Sequence, residues 1–304
     1  MARVRFAAVV SLAGALAASL EAGRPAPVSS GLAFALTLSN GGRSVSSGRF
    51  LLRVPGTKGG LVLTLEGAGL VGDGLEAPAR LKNGTDLDLY ALRLDFVSVT
   101  ETDRSDPETS AGSRPLAASA ASPLAWTALA KGAESEPLRF RVSPIVFSAE
   151  TGLVVVLGVV SGVASVATFE VEGTGRPSAI ETDAGGNVLL TSASGKVFRA
   201  GPDGRGASEL RNPPAPRSAP SGGPCARHRA AGRVCREGPE GSAWTFEGRE
   251  VSVFDAEGLR VRSFPAGGAG TPVALAFGRE GLLYVATYRG EGGRAGTVRV
   301  FRLF

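Results

Sequence analysis

Side chains that carry catalytic chemistry are scarce in this sequence. Its 304 residues include one His, two Cys and one Met. There is no Gly-x-Ser-x-Gly nucleophile elbow and no phosphate-binding loop, and the lone His228 leaves no catalytic triad. Two thiols and one imidazole also fall short of the four ligands that a structural zinc ion needs. The sequence therefore predicts no catalytic, cofactor-binding or metal-ligating residue, no cofactor and no enzyme activity.

Helical patterning is also missing. After residue 20, no long segment places apolar residues at helical spacing with good helix formers between them. The 43 Gly and 19 Pro are instead spread along the chain. They interrupt the Val- and Leu-rich runs at intervals of roughly 8–12 residues, which is typical of short strands joined by tight turns. We therefore expect an all-β fold.

The N-terminus has the pattern of a signal peptide. Arg3 and Arg5 precede an uncharged apolar run, and small residues follow that run. The pattern predicts a signal peptide over residues 1–22, with processing between about Ala18 and Ala22; a buried N-terminal helix is the alternative. No Cys lies there to carry a bacterial lipid anchor. We expect an exported bacterial protein of the periplasm, the cell surface or the extracellular space.

The two cysteines agree with export. Cys225 and Cys235 are close in sequence and lie in an Arg-rich, loop-like context. In an oxidising compartment we expect them to form one disulfide that closes a short loop. Half of a metal site, with His228 as a third ligand, is the alternative, but it lacks a fourth ligand.

Basic residues concentrate between Arg205 and Arg236, where several Pro accompany the Arg. The chain carries a formal net charge of +5, almost all of its basic residues being Arg, which indicates a GC-rich genome more than a function. The stretch could contact an anionic partner, or it is a solvated loop. It holds no aromatic residue for base stacking, so we expect no nucleic-acid partner.

Residues 31–148 form one β-rich unit by pattern. Asn83-Gly84 is a turn signal, which also accounts for the glycosylation-type sequence that continues to Thr85. After the turn, apolar residues alternate with polar ones at period two, with a slip near Ala91 that fits a bulge. The glycines of 67–72 have dinucleotide-motif spacing, but no helix pattern follows them, so we expect a turn there.

This unit resembles the immunoglobulin-like sandwich domains of bacterial surface proteins. The resemblance is carried by the Leu-Lys-Asn-x-Thr…Leu pattern from Leu81 to Leu89 and by the Leu-Ala-x-Gly turn from Leu129 to Gly132. It implies a spacer or adhesive module and carries over no site residue.

The uncharged segment 151–169 allows three interpretations. Its length is close to that of a membrane span. It is rich in Val and is flanked by Glu150 and Glu170 rather than by basic residues, which does not favour a membrane helix. Gly158 and Gly162 would instead suit a hairpin turn between two buried strands, either an extra repeat or the last hairpin of the first unit.

The last part of the chain contains a repeat. Three segments, 187–204, 241–258 and 281–301, each read as a strand, a turn and a strand with Val-Phe near its end. The 128 residues from Pro177 to Phe304 give about 43 residues to each copy, which fits a four-stranded propeller blade.

These segments resemble the blades of the NHL and SMP-30/gluconolactonase propellers. The matching pieces are Gly186-Asn-Val-Leu190, Leu283-Tyr-Val-Ala286 and Val251-Ser-Val-Phe-Asp-Ala-Glu-Gly258. The resemblance implies a small or incomplete propeller, since three copies fall short of the four blades that close a ring.

The resemblance also implies where a divalent metal would lie in a gluconolactonase-like enzyme. The candidate ligands are Glu181, Asp183, Asn187, Asp203, Asp255 and Glu257. Most of them stand in Asp-x-Gly-type corners, where Asp is favoured for its turn chemistry, so turn residues are the better interpretation. A streptogramin-lyase-like activity would need a catalytic His, and His228 lies outside the repeat register.

These observations predict a signal peptide over 1–22, a sandwich module over 31–148 and a propeller-like repeat domain over 149–304, with firm repeats from 177. The expected function is that of an exported, non-enzymatic protein that binds a protein or a glycan. A propeller hydrolase or lactonase with a degenerate metal site is one alternative. A single-pass protein anchored through 151–169 is the other.

Processing of the signal peptide can be checked directly. We expect the chain expressed in a bacterium with a periplasm to be recovered outside the cytoplasm with a new N-terminus between about Ala18 and Ala22. N-terminal sequencing and intact mass measure this. Recovery of the exported chain with residues 1–22 intact would contradict the prediction.

Overall fold

The structure, a computed structural model, describes residues 30–39, 44–45, 48–102, 113–116, 121–145, 152–213, 224–231, 233–267, 270–290 and 295–304. Within these ranges the chain consists of strands and turns, with one short α-helix, α1 (Ala226–Ala230), and one 3-10 helix (Pro239–Gly241). The expected all-β class is therefore confirmed. The predicted signal peptide lies outside the described residues.

The first half of the chain forms two antiparallel sheets. Its strands are β1 (Ser30–Ser39), β2 (Ser44–Val45), β3 (Gly48–Leu52), β4 (Leu61–Leu65), β5 (Gly69–Val71), β6 (Gly74–Asn83), β7 (Leu89–Thr102), β8 (Ser113–Leu116), β9 (Leu124–Leu129), β10 (Leu138–Val142) and β11 (Gly152–Glu172). One sheet has the order β10-β6-β4-β3, with β5 also paired to β6. In the other, β11 lies between β1 and β7, and β7 also pairs with β8 and β9.

The two sheets enclose one apolar core. Leu63 and Leu81 of the first sheet and Leu94 and Val156 of the second are buried in the same cluster. In β4 and β6 the buried positions alternate with more exposed ones, as period-two patterning requires of a sheet with one face inward. Within residues 67–72, where a turn is expected, Gly69–Val71 form strand β5 instead; β5 pairs with β6 through a turn at residues 72–73, and no helix follows.

Asn83 fixes the turn that the sequence predicts at this position. Its side chain is fully buried. The amide Nδ2 donates to the carbonyls of Leu87 (2.8 Å) and Leu129 (2.9 Å), and Oδ1 accepts from the backbone N–H of Thr85 (2.9 Å) and from its hydroxyl (2.7 Å). One amide side chain thus joins the β6–β7 connection to the end of β9.

The slip expected near Ala91 is a β-bulge. Arg93 of β7 lies opposite Ser161 of β11, whereas Tyr90 lies opposite Val163, so two residues of β7 face one residue of β11. Ala91, inside the bulge, has a φ of 47°, a conformation that is uncommon for residues other than Gly.

The second half of the chain forms three groups of four antiparallel strands, which we call the first, second and third repeat sheets; the third is part of the nine-stranded sheet that also contains β1 and β7. The first contains β12 (Pro177–Thr182), β13 (Val188–Ser192), β14 (Val197–Ala200) and β15 (Ser208–Glu209). The second contains β16 (Cys235–Glu237), β17 (Ala243–Glu247), β18 (Glu250–Phe254) and β19 (Arg260–Pro265). The third contains β20 (Thr271–Phe277), β21 (Leu282–Tyr288), β22 (Ala295–Leu303) and, as its fourth strand, β11.

Strand β11 joins the two halves of the chain. It is 21 residues long and has no break. One of its edges pairs with β1 up to Val160 and then, from Val163, with β22; the other edge pairs with β7 from Leu153 to Ala164. The boundary predicted between residues 148 and 149 precedes β11, which hydrogen-bonds to strands on both sides of that boundary.

The hairpin turn expected at Gly158 and Gly162 is absent, because both residues lie within β11. A Cβ atom added to Gly162 would lie 2.8 Å from the ring of Phe304 and 2.9 Å from the side chain of Leu92, and one added to Gly158 would lie 2.8 Å from a backbone carbonyl of β7. The glycines therefore permit close packing against β11, not a reversal of the chain.

The same segment is a strand and not a membrane-spanning helix. Among the described residues, no helix has the length and apolar character needed to cross a bilayer.

The third repeat sheet is buried on both faces. Successive residues of β21 point in opposite directions, so that Leu283 and Val285 pack on the second repeat sheet while Tyr284 and Ala286 pack on the first. Their partners are Trp244, Val251, Val253 and Phe264 on the second sheet, and Ile180, Val188, Leu190 and Phe198 on the first. The third sheet is therefore the middle layer of the repeat region.

The structural role of Asn83 can be tested by Asn83→Ala. Removing its amide deletes its four hydrogen bonds within a buried turn, and we expect the free energy of unfolding to fall by about 2–4 kcal/mol. Urea unfolding followed by the fluorescence of Trp126 and Trp244 measures this in both halves of the chain. The matched control is Asn212→Ala at an exposed loop position. Equal losses for the two variants would contradict the assigned role.

Candidate functional site

The first strands of the three repeat sheets meet at one junction. The hydroxyl of Thr182, at the end of β12, donates to the carbonyl of Phe277 in β20 (2.9 Å). The Nε–H of Arg236, in β16, donates to the carbonyl of Leu275, also in β20 (3.2 Å). Since β20 is an edge strand of its sheet within the described chain, these two side chains cap backbone carbonyls that no neighbouring strand pairs.

A cavity of about 230 Å³ lies at this junction. Its lining residues come from all three sheets: Ile180, Glu181 and Thr182 from β12, Arg236 and Glu237 from β16, and Ala276 and Phe277 from β20. Pockets for drug-sized ligands are usually about 300–1,000 Å³. The cavity is therefore the size of a single side chain or of a similarly small group.

The lining combines two unpaired carboxylates with an aromatic ring. The carboxylates of Glu181 and Glu237 have no hydrogen-bond or ion-pair partner among the residues that the structure describes. The ring of Phe277 is half-buried and stands edge-on to Trp244, with the ring centres 5.2 Å apart. The hydroxyl of Thr182 and the Nε of Arg236 are already engaged with β20.

Of the metal-ligand candidates taken from the sequence, only Glu181 lines the cavity. Asp183 holds the β12–β13 turn instead, accepting at Oδ1 from the backbone N–H groups of Gly185 (2.8 Å) and Asn187 (2.9 Å), while the amide of Asn187 donates to Oδ2 (2.9 Å). Burial opposes the ionisation of Asp183, but these hydrogen bonds and the nearby Arg199 outweigh it, so the pKa of this carboxyl lies below its ordinary value. Asp183 and Asn187 are therefore turn residues, as their positions predict.

The other candidate metal ligands also lie in turns between strands. The Oδ1 of Asp203 accepts from the backbone N–H of Arg205 (3.1 Å), and the Oδ1 of Asp255 accepts from the backbone N–H of Leu259 (2.8 Å). Glu257 is exposed. Within the described part of the chain, no group of three or more His, Cys, Asp or Glu is placed to hold a metal ion.

The predicted disulfide between Cys225 and Cys235 is present. It ties α1 to the second repeat sheet, where the two half-cystines pack with Ala243 and Phe254. The ring of His228, in α1, lies against Phe254 with the ring centres 4.6 Å apart. His228 is therefore part of this covering layer and does not line the cavity.

Arg236 and Glu237 were not predicted as site residues. They stand just before the second repeat's strand pair, at the place that Ile180 to Thr182 hold in the first repeat and Ala276 and Phe277 hold in the third. The Arg- and Pro-rich insertion that precedes them hides this register. An alignment of the first strand of each repeat, instead of the strand that contains Val-Phe, places Arg236 and Glu237 in register with Glu181 and Phe277.

Comparison with protein-family models and with curated proteins gives no match. Among solved structures, one titled "Streptogramin B lyase structure" is similar at 12% sequence identity, covering 43% of this chain and 57% of that chain, with a TM-score of 0.17. The match thus spans little more than half of that structure's length, and it transfers neither an activity nor a residue to this chain. The resemblances to NHL and immunoglobulin-like domains stay predictions.

Capping of the β20 edge can be tested by Thr182→Val, which keeps the shape of the side chain and removes its hydroxyl. The carbonyl of Phe277 then loses its donor, and we expect the free energy of unfolding to fall by about 1 kcal/mol in urea titrations. Thr191→Val, on the neighbouring strand β13, is the control, since its hydroxyl makes no hydrogen bond to a described residue. A loss no larger than that of the control would show that the hydrogen bond contributes nothing.

Proposed function

We propose that this chain is an exported, non-enzymatic binding protein. In this proposal an immunoglobulin-like sandwich module carries a small propeller-like domain, and that domain contacts a partner through the cavity at the junction of the three repeat sheets. The supporting observation is the convergence of β12, β16 and β20 on one small cavity that holds charge and an aromatic side chain.

The propeller-like interpretation follows from the arrangement of the sheets. The first and second repeat sheets are four-stranded antiparallel meanders, and the third combines the meander β20-β21-β22 with β11, which pairs with β22. Strands β12, β16 and β20 lie at the common junction, as the innermost strand of a blade does. Buried apolar clusters connect the third sheet to each of the other two. In the described residues no such cluster connects the first sheet to the second, so we interpret the unit as an open fan of three blades.

Binding is favoured over hydrolysis by the groups that line the cavity. Among the described residues they include no Ser, Cys, His or Lys, and the hydroxyl of Thr182 donates to a backbone carbonyl instead of to a base. Nucleophilic catalysis needs a nucleophile within hydrogen-bond reach of a base. Two carboxylates with a neighbouring aromatic ring suit recognition of a ligand group instead.

The proposal is tested by screening the purified full chain against arrays of immobilised peptides and glycans, followed by titration calorimetry with the best ligand. We expect binding that Glu237→Trp abolishes, because a Trp side chain at that position fills the cavity. Glu172→Trp is the control, since Glu172 is exposed on β11 and does not line the cavity.

Two outcomes count against the proposal. In the first, both Trp variants bind as well as the parent chain, so that the cavity has no role. In the second, the purified chain hydrolyses members of a lactone panel in a metal-dependent reaction that Glu181→Gln abolishes, which would establish the hydrolase alternative.

A further inference from the structure

The carboxylates of the cavity point to the charge of the group that it binds. Glu181 and Glu237 approach the same space from different sheets, β12 and β16, and neither has a partner among the described residues. One guanidinium, that of Arg236, lines the same cavity, and its Nε–H is engaged by the carbonyl of Leu275. At neutral pH the lining therefore carries an excess of negative charge and several unused acceptor sites.

Phe277 adds a second element that suits a cation. Its side chain lines the cavity together with the two carboxylates. A cation over an aromatic face is attracted by the ring quadrupole, by about 0.5–1 kcal/mol where the site is exposed and more where it is desolvated. Neutral apolar groups would gain from the ring but would leave the carboxylates unpaired.

The size and polar composition of the cavity further restrict the chemical class of its ligand. A volume of about 230 Å³ suits one side chain. Of the described residues that line the cavity, none is Asn, Gln, Ser or Tyr, and the hydroxyl of Thr182 already donates to Phe277. Neutral groups that could hydrogen-bond to sugar hydroxyls are therefore few. A Lys or Arg side chain needs only acceptors and an aromatic face, and both are present here.

We propose that the cavity binds a Lys or Arg side chain presented by a partner protein. This inference rests on the proposed function and specifies the ligand of that site. The ammonium or guanidinium group lies between the carboxylates of Glu181 and Glu237, and its aliphatic stem contacts Phe277.

The chain offers a direct probe, because Ile145 and Ile180 are its only two isoleucines. Ile180 is buried in the core directly beside the cavity, next to Glu181, and Ile145 lies in the core of the sandwich. Methyl-labelled Ile in the full chain therefore gives one NMR signal at the site and one internal control remote from it. The probes are N-acetyl-lysine methylamide, its arginine and norleucine analogues, and glucosamine.

We expect the Lys and Arg probes to shift the Ile180 methyl signal saturably and to leave the Ile145 signal in place, with no shift from the norleucine probe.

The double variant E181Q/E237Q should raise the Kd by about tenfold, as expected for the loss of two partly exposed charge pairs. The control E172Q/E250Q alters exposed glutamates outside the cavity and should keep the parent Kd. Raising NaCl from 0.1 M to 1 M should weaken binding, because the Debye length falls from about 10 Å to about 3 Å.

The outcomes separate this inference from the function on which it rests. If glucosamine or the norleucine probe shifts Ile180 as strongly as the Lys probe does, the cavity still binds ligands and the charge assignment is wrong. If no cationic probe shifts Ile180, the inference is overturned, and the array screen with the Trp variants decides separately whether the cavity has a binding role. Parent-like urea midpoints in the Gln variants show that any loss of binding does not arise from unfolding.

Discussion

The pairing of β11 along both of its edges is the constraint on which the rest of the structure depends. A 21-residue, Val-rich strand exposes backbone N–H and C=O groups along its whole length, and each needs a partner once the strand is buried. Here β1 and β22 share one edge in succession and β7 takes most of the other. The sandwich and the repeat region therefore share one continuous sheet, and their orientation does not depend on a flexible linker.

This pairing also determines how the repeat region is layered. With β11 as its fourth strand, the third repeat sheet gains the outer strand that the C-terminal sequence does not itself supply, and the edge of β22 is covered. The third sheet can then serve as the middle layer, with apolar residues on both faces. Its remaining free edge, that of β20, faces the first strands of the other two sheets, and the cavity forms at that edge.

Much of this fold follows from the sequence, and the exceptions have physical causes. The Asn83 turn, the slip at Ala91 and the strands of the three repeats are local features, encoded by turn residues and by period two. The segment 151–169 was ambiguous because it is uncharged and apolar at most positions, so that no period shows in the sequence, although buried and partly exposed positions alternate from Val156 to Ser161 in the structure. Its glycines then resembled a turn, whereas Gly162 accommodates the side chains of Leu92 and Phe304 and Gly158 lies close to a backbone carbonyl of β7. At the site, Glu181 could be proposed from the repeat, but Arg236 could not, because the insertion conceals its register.

The capping of β20 also explains the chemical character of the cavity. An exposed strand edge presents carbonyl acceptors, and neighbouring sheets stabilise it by contributing donors, here the hydroxyl of Thr182 and the Nε–H of Arg236. The Thr182 hydroxyl and the Nε–H of Arg236 are thereby engaged outside the cavity. The acceptors that line it are the two glutamates adjacent in sequence to the capping residues, Glu181 beside Thr182 and Glu237 beside Arg236. Because successive side chains of a strand point to opposite sides, the side chain next to each capping residue extends to another side of the same junction. The side chains that cap the edge of β20 thereby place a surplus of negative charge beside it. A ligand that supplies hydrogen-bond donors and positive charge complements that surplus.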